Sequence, residues 1–340
     1  MTVVQAASRI RLDAVALRLS RLPLLLTVIL VASWQVTLRS DDPNGVALLG
    51  VTNVVNGTGG DLSQYRVFSA YLAIALQALF GADVPPFTAM RFAQMLLISG
   101  LAYVFYGQLG LRPGTRLLGI GVLAGLISLS MGRVGPSSFS LDRFNDTIFY
   151  LIAALMVLRG RELWIPPLMM LAVANRETSV FIPMLIVARY GLRLFTDARL
   201  RRPLVAALGA WAVAALVYFG IHTYYGPRPR VEDSYWGTAM VLRSLRMPGQ
   251  IAFFFAAINL LPGVALISLR DVDPFLRRLF WLVVPLWFVV HIWAARLGEG
   301  IMYLAPTTLI IVPLVLQALE RRLVLSDQRS ERPSALQPSG

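Results

Sequence analysis

Residues 163–191 read LWIPPLMMLAVANRETSVFIPMLIVARYG. Two apolar halves flank Asn175, Arg176, Glu177 and Thr178, which places two full charges in the middle of a lipid-like run. An ionisable group at membrane depth costs roughly 2.5–3.5 kcal/mol on insertion scales, so it faces a cavity or a partner. At 1.5 Å per residue, a half of about 13 residues reaches only ~20 Å. Arg159 and Arg161 precede the stretch, and Arg189, Arg193, Arg199, Arg201 and Arg202 follow it. These features predict two short helices that meet at Asn175-Arg176-Glu177. Broken backbone at that depth is tolerated only where it lines a cavity. The competing reading is one long tilted helix, with Arg176 in a structural ion pair.

The composition agrees with a lipid environment. Of 340 residues, 57% are hydrophobic and 14% charged, with a mean hydropathy of +0.66. A soluble domain carries about 25% charged residues. Apolar runs of about 16–20 residues fit helices crossing a ~30 Å core. The ten-residue alternation of a spanning barrel is absent. The expectation is an all-α, polytopic membrane protein.

With no cysteine, disulfides and thiolate chemistry are excluded. His222 and His291 are the only histidines, too few for a histidine-rich metal centre, and both fall near outer helix ends among Tyr and Trp, as in an interfacial belt. No cofactor is expected, and outer carboxylates leave a divalent ion open without indicating one. All 31 basic residues are arginine. A net charge of +13 is explained by arginines that flank helices and set orientation, rather than by nucleic acid.

Orientation follows from those arginines. Arg9, Arg11, Arg18 and Arg21 precede the apolar run 22–38, which reads as an uncleaved first helix with a cytoplasmic N-terminus. A polar loop, 39–65, comes next. Arg112 and Arg116 follow the span 91–110, and Arg159 and Arg161 follow the span 145–158, so both short loops are cytoplasmic. The helix 117–132 lies between those loops. This parity works only if the run 67–82 lies at the outer interface or re-enters without crossing. Further spans are expected at 203–222, 250–269, 279–295 and 301–318, with an outer loop at 223–249. The sum is about ten membrane helices in one domain, residues 1–323, and a disordered cytoplasmic tail, 324–340. The expected location is a bacterial cytoplasmic (inner) membrane, crossed several times, with both termini inside.

Acidic residues gather on the outer side. Asp41 and Asp42 follow the first helix, and Asp61 ends the same loop just before Arg66. Asp142 and Asp146, four apart, share one helix face. Arg296 and Glu299 precede the last span. Like charges this close raise one pKa or need a cation between them, as in a general base or a carboxylate pair that orients substrates. Plain structural roles compete: Asp41 and Asp42 as a solvated turn before Pro43, Asp142 or Asp146 as a helix cap. Asn56-Gly-Thr58 matches a glycosylation acceptor, a common pattern.

The order of features resembles the GT-C superfamily of membrane glycosyltransferases. The resemblance rests on Leu79-Phe-Gly-Ala82, on Met90-Arg91-Phe92 opening a span that ends in Tyr106-Gly-Gln-Leu-Gly110, and on Asp146-Thr-Ile-Phe-Tyr150. It continues through Leu158-Arg-Gly-Arg161 to the broken pair around Asn-Arg-Glu-Thr, covering roughly residues 20–190. In style it is nearest to the aminoarabinose and protein-mannosyl transferase branch. The chain departs from that pattern in lacking a clean Asp-Glu signature in the first loop and a proline pair before the interfacial helix.

The resemblance implies an interfacial helix in the first outer loop and a polyprenyl-phosphate-sugar donor in the membrane lipid. It implies catalytic roles for Asp41, Asp42 and Asp146, and a phosphate-binding role for Arg176. Asp61, Arg66, Asp142, Glu177, Arg296 and Glu299 are then expected to bind substrates. Transfer would run from the lipid phosphate to an acceptor hydroxyl on the outer face. A transporter or lipid flippase, which usually shows paired breaks in two repeated halves, and a non-catalytic component of the same fold are the other readings.

Overall fold

The structure, a computed structural model, describes residues 51–59, 64–80, 86–131, 141–227, 237–258, 260–294 and 300–330. Every regular element among them is helical. The run 22–38, the loop residues Asp41, Asp42 and Asp61, and Arg296 and Glu299 lie outside the described residues.

Helix α1 (Val67–Phe80) is followed by α2 (Pro86–Gln108), α3 (Pro113–Met131) and α4 (Leu141–Leu158). The 14 residues of α1 reach roughly 21 Å, short of a ~30 Å core. Next come α5 (Ile165–Asn175) and α6 (Met184–Tyr190), joined through a 3-10 turn, Glu177–Phe181. The break expected at Asn175-Arg176-Glu177 is therefore present, and the single long helix is not. Its causes are local. Pro166 and Pro167 start α5 in the first turn, where a missing N–H is harmless. Arg176 leaves the helix in extended backbone (φ −161°, ψ 138°), and Pro183 begins the next helix.

Helix α7 (Arg201–Tyr225) packs along α5. Helices α8 (Gly237–Leu245), α9 (Pro248–Ile258), α10 (Leu261–Ser268) and α11 (Pro274–Ala294) follow, and α12 (Val312–Ser330) is the last helix among the described residues. Among the described residues, three stretches are long and apolar enough to cross a membrane: Ala198–Tyr225, Pro274–Trp293 and Ile301–Arg322. The expected count was about ten. Part of the difference is chain breaking. The span expected at 250–269 is divided between α9 and α10, with Pro262 in the first turn of the latter. Part is polarity, since α4 carries Asp142, Arg143 and Asp146, and α2 carries Arg91 and Gln94. The outer loop expected at 223–249 contains α8, and α12 runs on to Ser330, past the start of the tail expected from 324.

One apolar core runs through the bundle, from Phe105 and Ile120 through Leu151, Met169 and Ile186 to Leu276 and Ile311. Its crossings are close. A Cβ on Gly119 would lie 2.5 Å from Leu316 Cδ1 and 2.9 Å from Tyr106 Cε2, so only glycine permits α3 to sit there. A π-turn, Thr307–Ile311, frees backbone carbonyls, and the Tyr106 hydroxyl donates to Thr308 O at 2.9 Å. A smaller cluster of Val51, Val54, Ala70, Ala73, Met90 and Leu141 anchors α1 and the residues before it.

Candidate functional site

Two of the charges that opened the sequence reading do not pair with one another. The Arg176 Nη1 donates to Asp142 Oδ2 at 3.1 Å. Glu177 turns the other way and accepts from Arg66, Nη2 to Oε1 at 2.7 Å and Nε to Oε2 at 3.4 Å. Arg66 closes the chain with a second bond, Nη1 to the same Asp142 Oδ2 at 3.1 Å. One carboxylate oxygen thus holds two guanidiniums. Asp142 sits in the first turn of α4, where the helix N-terminus favours a negative charge.

Arg66 stands between the buried Gln64 and the start of α1. Gln64 fixes that approach, accepting from Gly59 N at 2.7 Å and donating to Val54 O at 2.8 Å. Burial alone would lower the Arg66 pKa, and Glu177 and Asp142 more than reverse it, so the guanidinium stays charged.

Below the ions lies a second layer of neutral polar groups. Asn175 donates to the Asp142 carbonyl at 2.7 Å and accepts from Ser69 at 2.6 Å. Asn145 donates to Ser69 at 2.9 Å, and Gln94 donates to Asn145 Oδ1 at 2.9 Å. The layer ties α1, α2 and α4 to the end of α5. Asp146 belongs to this supporting set. Its two oxygens accept from Thr178 Oγ1 at 2.8 Å and Ser179 Oγ at 2.7 Å, and the residue is only 2% exposed. It fixes the 3-10 turn that carries Glu177.

Arg176 is also nearly sealed, at 4% side-chain exposure. Its Nη2 donates to Met302 Sδ at 3.0 Å, a weak acceptor, and its buried Nε has no hydrogen-bond partner among the described residues. An arginine held this way has hydrogen-bonding capacity left for an anion. Glu177 is the accessible carboxylate of the group, at 31% side-chain exposure.

Glu177 faces a shallow open cleft lined with Tyr65, Val173, Tyr218, Ile221 and His222. The His222 ring stacks between Tyr65, with centroids 3.7 Å apart, and Tyr218, at 4.0 Å. Its Nδ1 donates to Tyr218 O at 2.8 Å, and the Tyr65 hydroxyl donates to Gly226 O at 2.9 Å. A second, small hollow, apolar in its lining, lies among Tyr150, Phe181, Leu185, Trp287 and Leu309. The Tyr150 hydroxyl donates to Thr178 O at 2.6 Å, so one residue borders both the hollow and the polar turn.

Of the expected site residues, the structure brings together Arg66, Asp142, Asp146, Arg176 and Glu177. It adds Tyr65 and Tyr218, and it adds His222, which the sequence alone assigns to an interfacial belt. It also adds Ser69, Gln94 and Asn145, polar residues inside apolar runs, which sequence reasoning passed over.

The chain matches no protein-family model, no curated protein and no solved structure.

Proposed function

We propose that the chain is a GT-C-type membrane glycosyltransferase, working in the bacterial cytoplasmic membrane with its cleft on the outer side. It moves a sugar from a polyprenyl-phosphate donor to an acceptor hydroxyl. The observation that carries this reading is the meeting of Arg66, Arg176, Asp142 and Glu177 at a helix break, between an aromatic cleft and an apolar hollow.

The roles follow from exposure and bonding. Glu177, in the cleft, takes the proton of the acceptor hydroxyl as its oxygen bonds to the sugar's anomeric carbon. The bond from that carbon to the phosphate oxygen breaks, and its electron pair leaves with the polyprenyl phosphate. Arg176 and Arg66 stabilise the departing anion by charge-assisted hydrogen bonds. Asp142 holds the two guanidiniums in place when no phosphate is bound. Asp146 is a positioning residue, because both its oxygens are spent on Thr178 and Ser179.

The test uses the full chain in lipid nanodiscs with short-chain polyprenyl-phosphate sugars, scoring release of polyprenyl phosphate. One donor should be consumed. Glu177→Gln should slow that turnover by at least about 100-fold, the scale of a lost general base, while the protein stays folded. A folded protein that neither binds nor consumes any such donor would sink the reading.

A further inference from the structure

At the end of the bundle away from the cleft, α5 begins, α6 ends and α7 begins, and the turns between them pack together. The Tyr190 hydroxyl, donating to Glu162, fastens two of those turns to each other. Beside Arg189 in the last turn of α6, six more arginines stand exposed there: Arg159, Arg161, Arg193, Arg199, Arg201 and Arg202. None of them forms a salt bridge among the described residues.

The nearby carboxylates are turned to other work. Glu162 is buried against Tyr190. Asp197 accepts the backbone N–H of Arg199 at 2.9 Å, as the cap of the single turn Ala198–Leu200. Among the described residues, no carboxylate pairs with the positive charge of this face. Large apolar side chains stand exposed beside it: Trp164 at 64%, Leu192 at 83% and Phe195 at 58%. The turn Arg193–Thr196 that carries Phe195 is pinned from below by Leu194, which is 1% exposed.

We infer that this face is a docking surface for anionic phospholipid headgroups, with Trp164, Leu192 and Phe195 inserted among the acyl chains and the arginines paired with lipid phosphates. Charge and apolar area occur together only at an interface that is itself anionic above and oily below. A soluble phosphate ligand would leave the three apolar side chains in water, and a neutral bilayer would leave six arginines without counter-charge. The site is independent of the cleft, and its test does not require turnover.

The chain has no cysteine, so Thr196→Cys gives a single label site on the exposed turn. A polarity-sensitive dye there is followed as phosphatidylglycerol replaces phosphatidylcholine in nanodiscs. The expected result is a blue shift that saturates with phosphatidylglycerol. The triple change R193Q/R199Q/R201Q keeps the stems and removes the charge. At about fivefold for each arginine removed, it should push half-saturation beyond pure phosphatidylglycerol and so remove the response, with an unchanged thermal midpoint in detergent. Three results would overturn the inference: an equal shift in pure phosphatidylcholine, a phosphatidylglycerol response that survives the triple change, or the same shift produced by inorganic phosphate at matched ionic strength.

Discussion

Asp142 accepts Arg66 and Arg176 on one oxygen. Removing one partner of a buried ion pair costs about 3–5 kcal/mol, because the other charge remains without compensation. Asp142→Ala therefore lowers the thermal midpoint sharply, read by unfolding in detergent. Glu177→Gln behaves differently. At 31% side-chain exposure it is partly solvated, and Arg66 keeps Asp142. Its stability cost is about 1 kcal/mol or less, against the large loss of turnover expected of it. If the two substitutions cost the same stability, Glu177 is a structural partner of Arg66 and not a cleft-facing base. The position of the charges was legible at this scale, because Arg176 and Glu177 violate the apolar run around them. Their partners were not. Nothing local to Arg66 or Asp142 says that the chain returns 76 residues later to pair them.

Among the elements, Gly119 and Gly121 give a controlled comparison on one helix. A Cβ on Gly119 meets Leu316 and Tyr106, and Tyr106 cannot yield freely because its hydroxyl is held by Thr308 O. Gly121 is exposed, with nothing within 4 Å of a new Cβ. Gly119→Ala should thus destabilise by about 1–3 kcal/mol through overpacking. Gly121→Ala should be neutral, or stabilise by up to about 1 kcal/mol through helix propensity. Matched melting curves of the two variants decide it, and equal shifts would mean the crossing is looser than described. Periodicity and arginine flanks located α2, α3, α4, α7 and α11 within a few residues. They failed at the α9–α10 division, where the run 250–269 stays apolar through a break that Pro262 alone marks. They also failed at α8, where Gly237–Leu245 is short and its flanks are polar.

For the whole molecule, α7 is the element that measures the bundle against a membrane. Its 25 residues span roughly 37 Å, more than a ~30 Å core. It begins beside the exposed arginine face and ends beside the aromatic cleft at His222. If α7 crosses, its two ends lie in different compartments, and arginine bias puts the first of them in the cytoplasm. The native chain offers no thiol, so each end can be reported by one introduced cysteine. Thr196→Cys, just before α7, should react with a membrane-impermeant maleimide only in inside-out vesicles. Tyr224→Cys, at a position 82% exposed, should react only in right-side-out vesicles. Labelling of both from one side would mean that α7 does not cross, and the outward cleft would lose its geometry. Labelling in the opposite sense would keep the crossing but turn Glu177 and its cleft to the cytoplasm, where a donor and acceptor on the outer leaflet could not meet it.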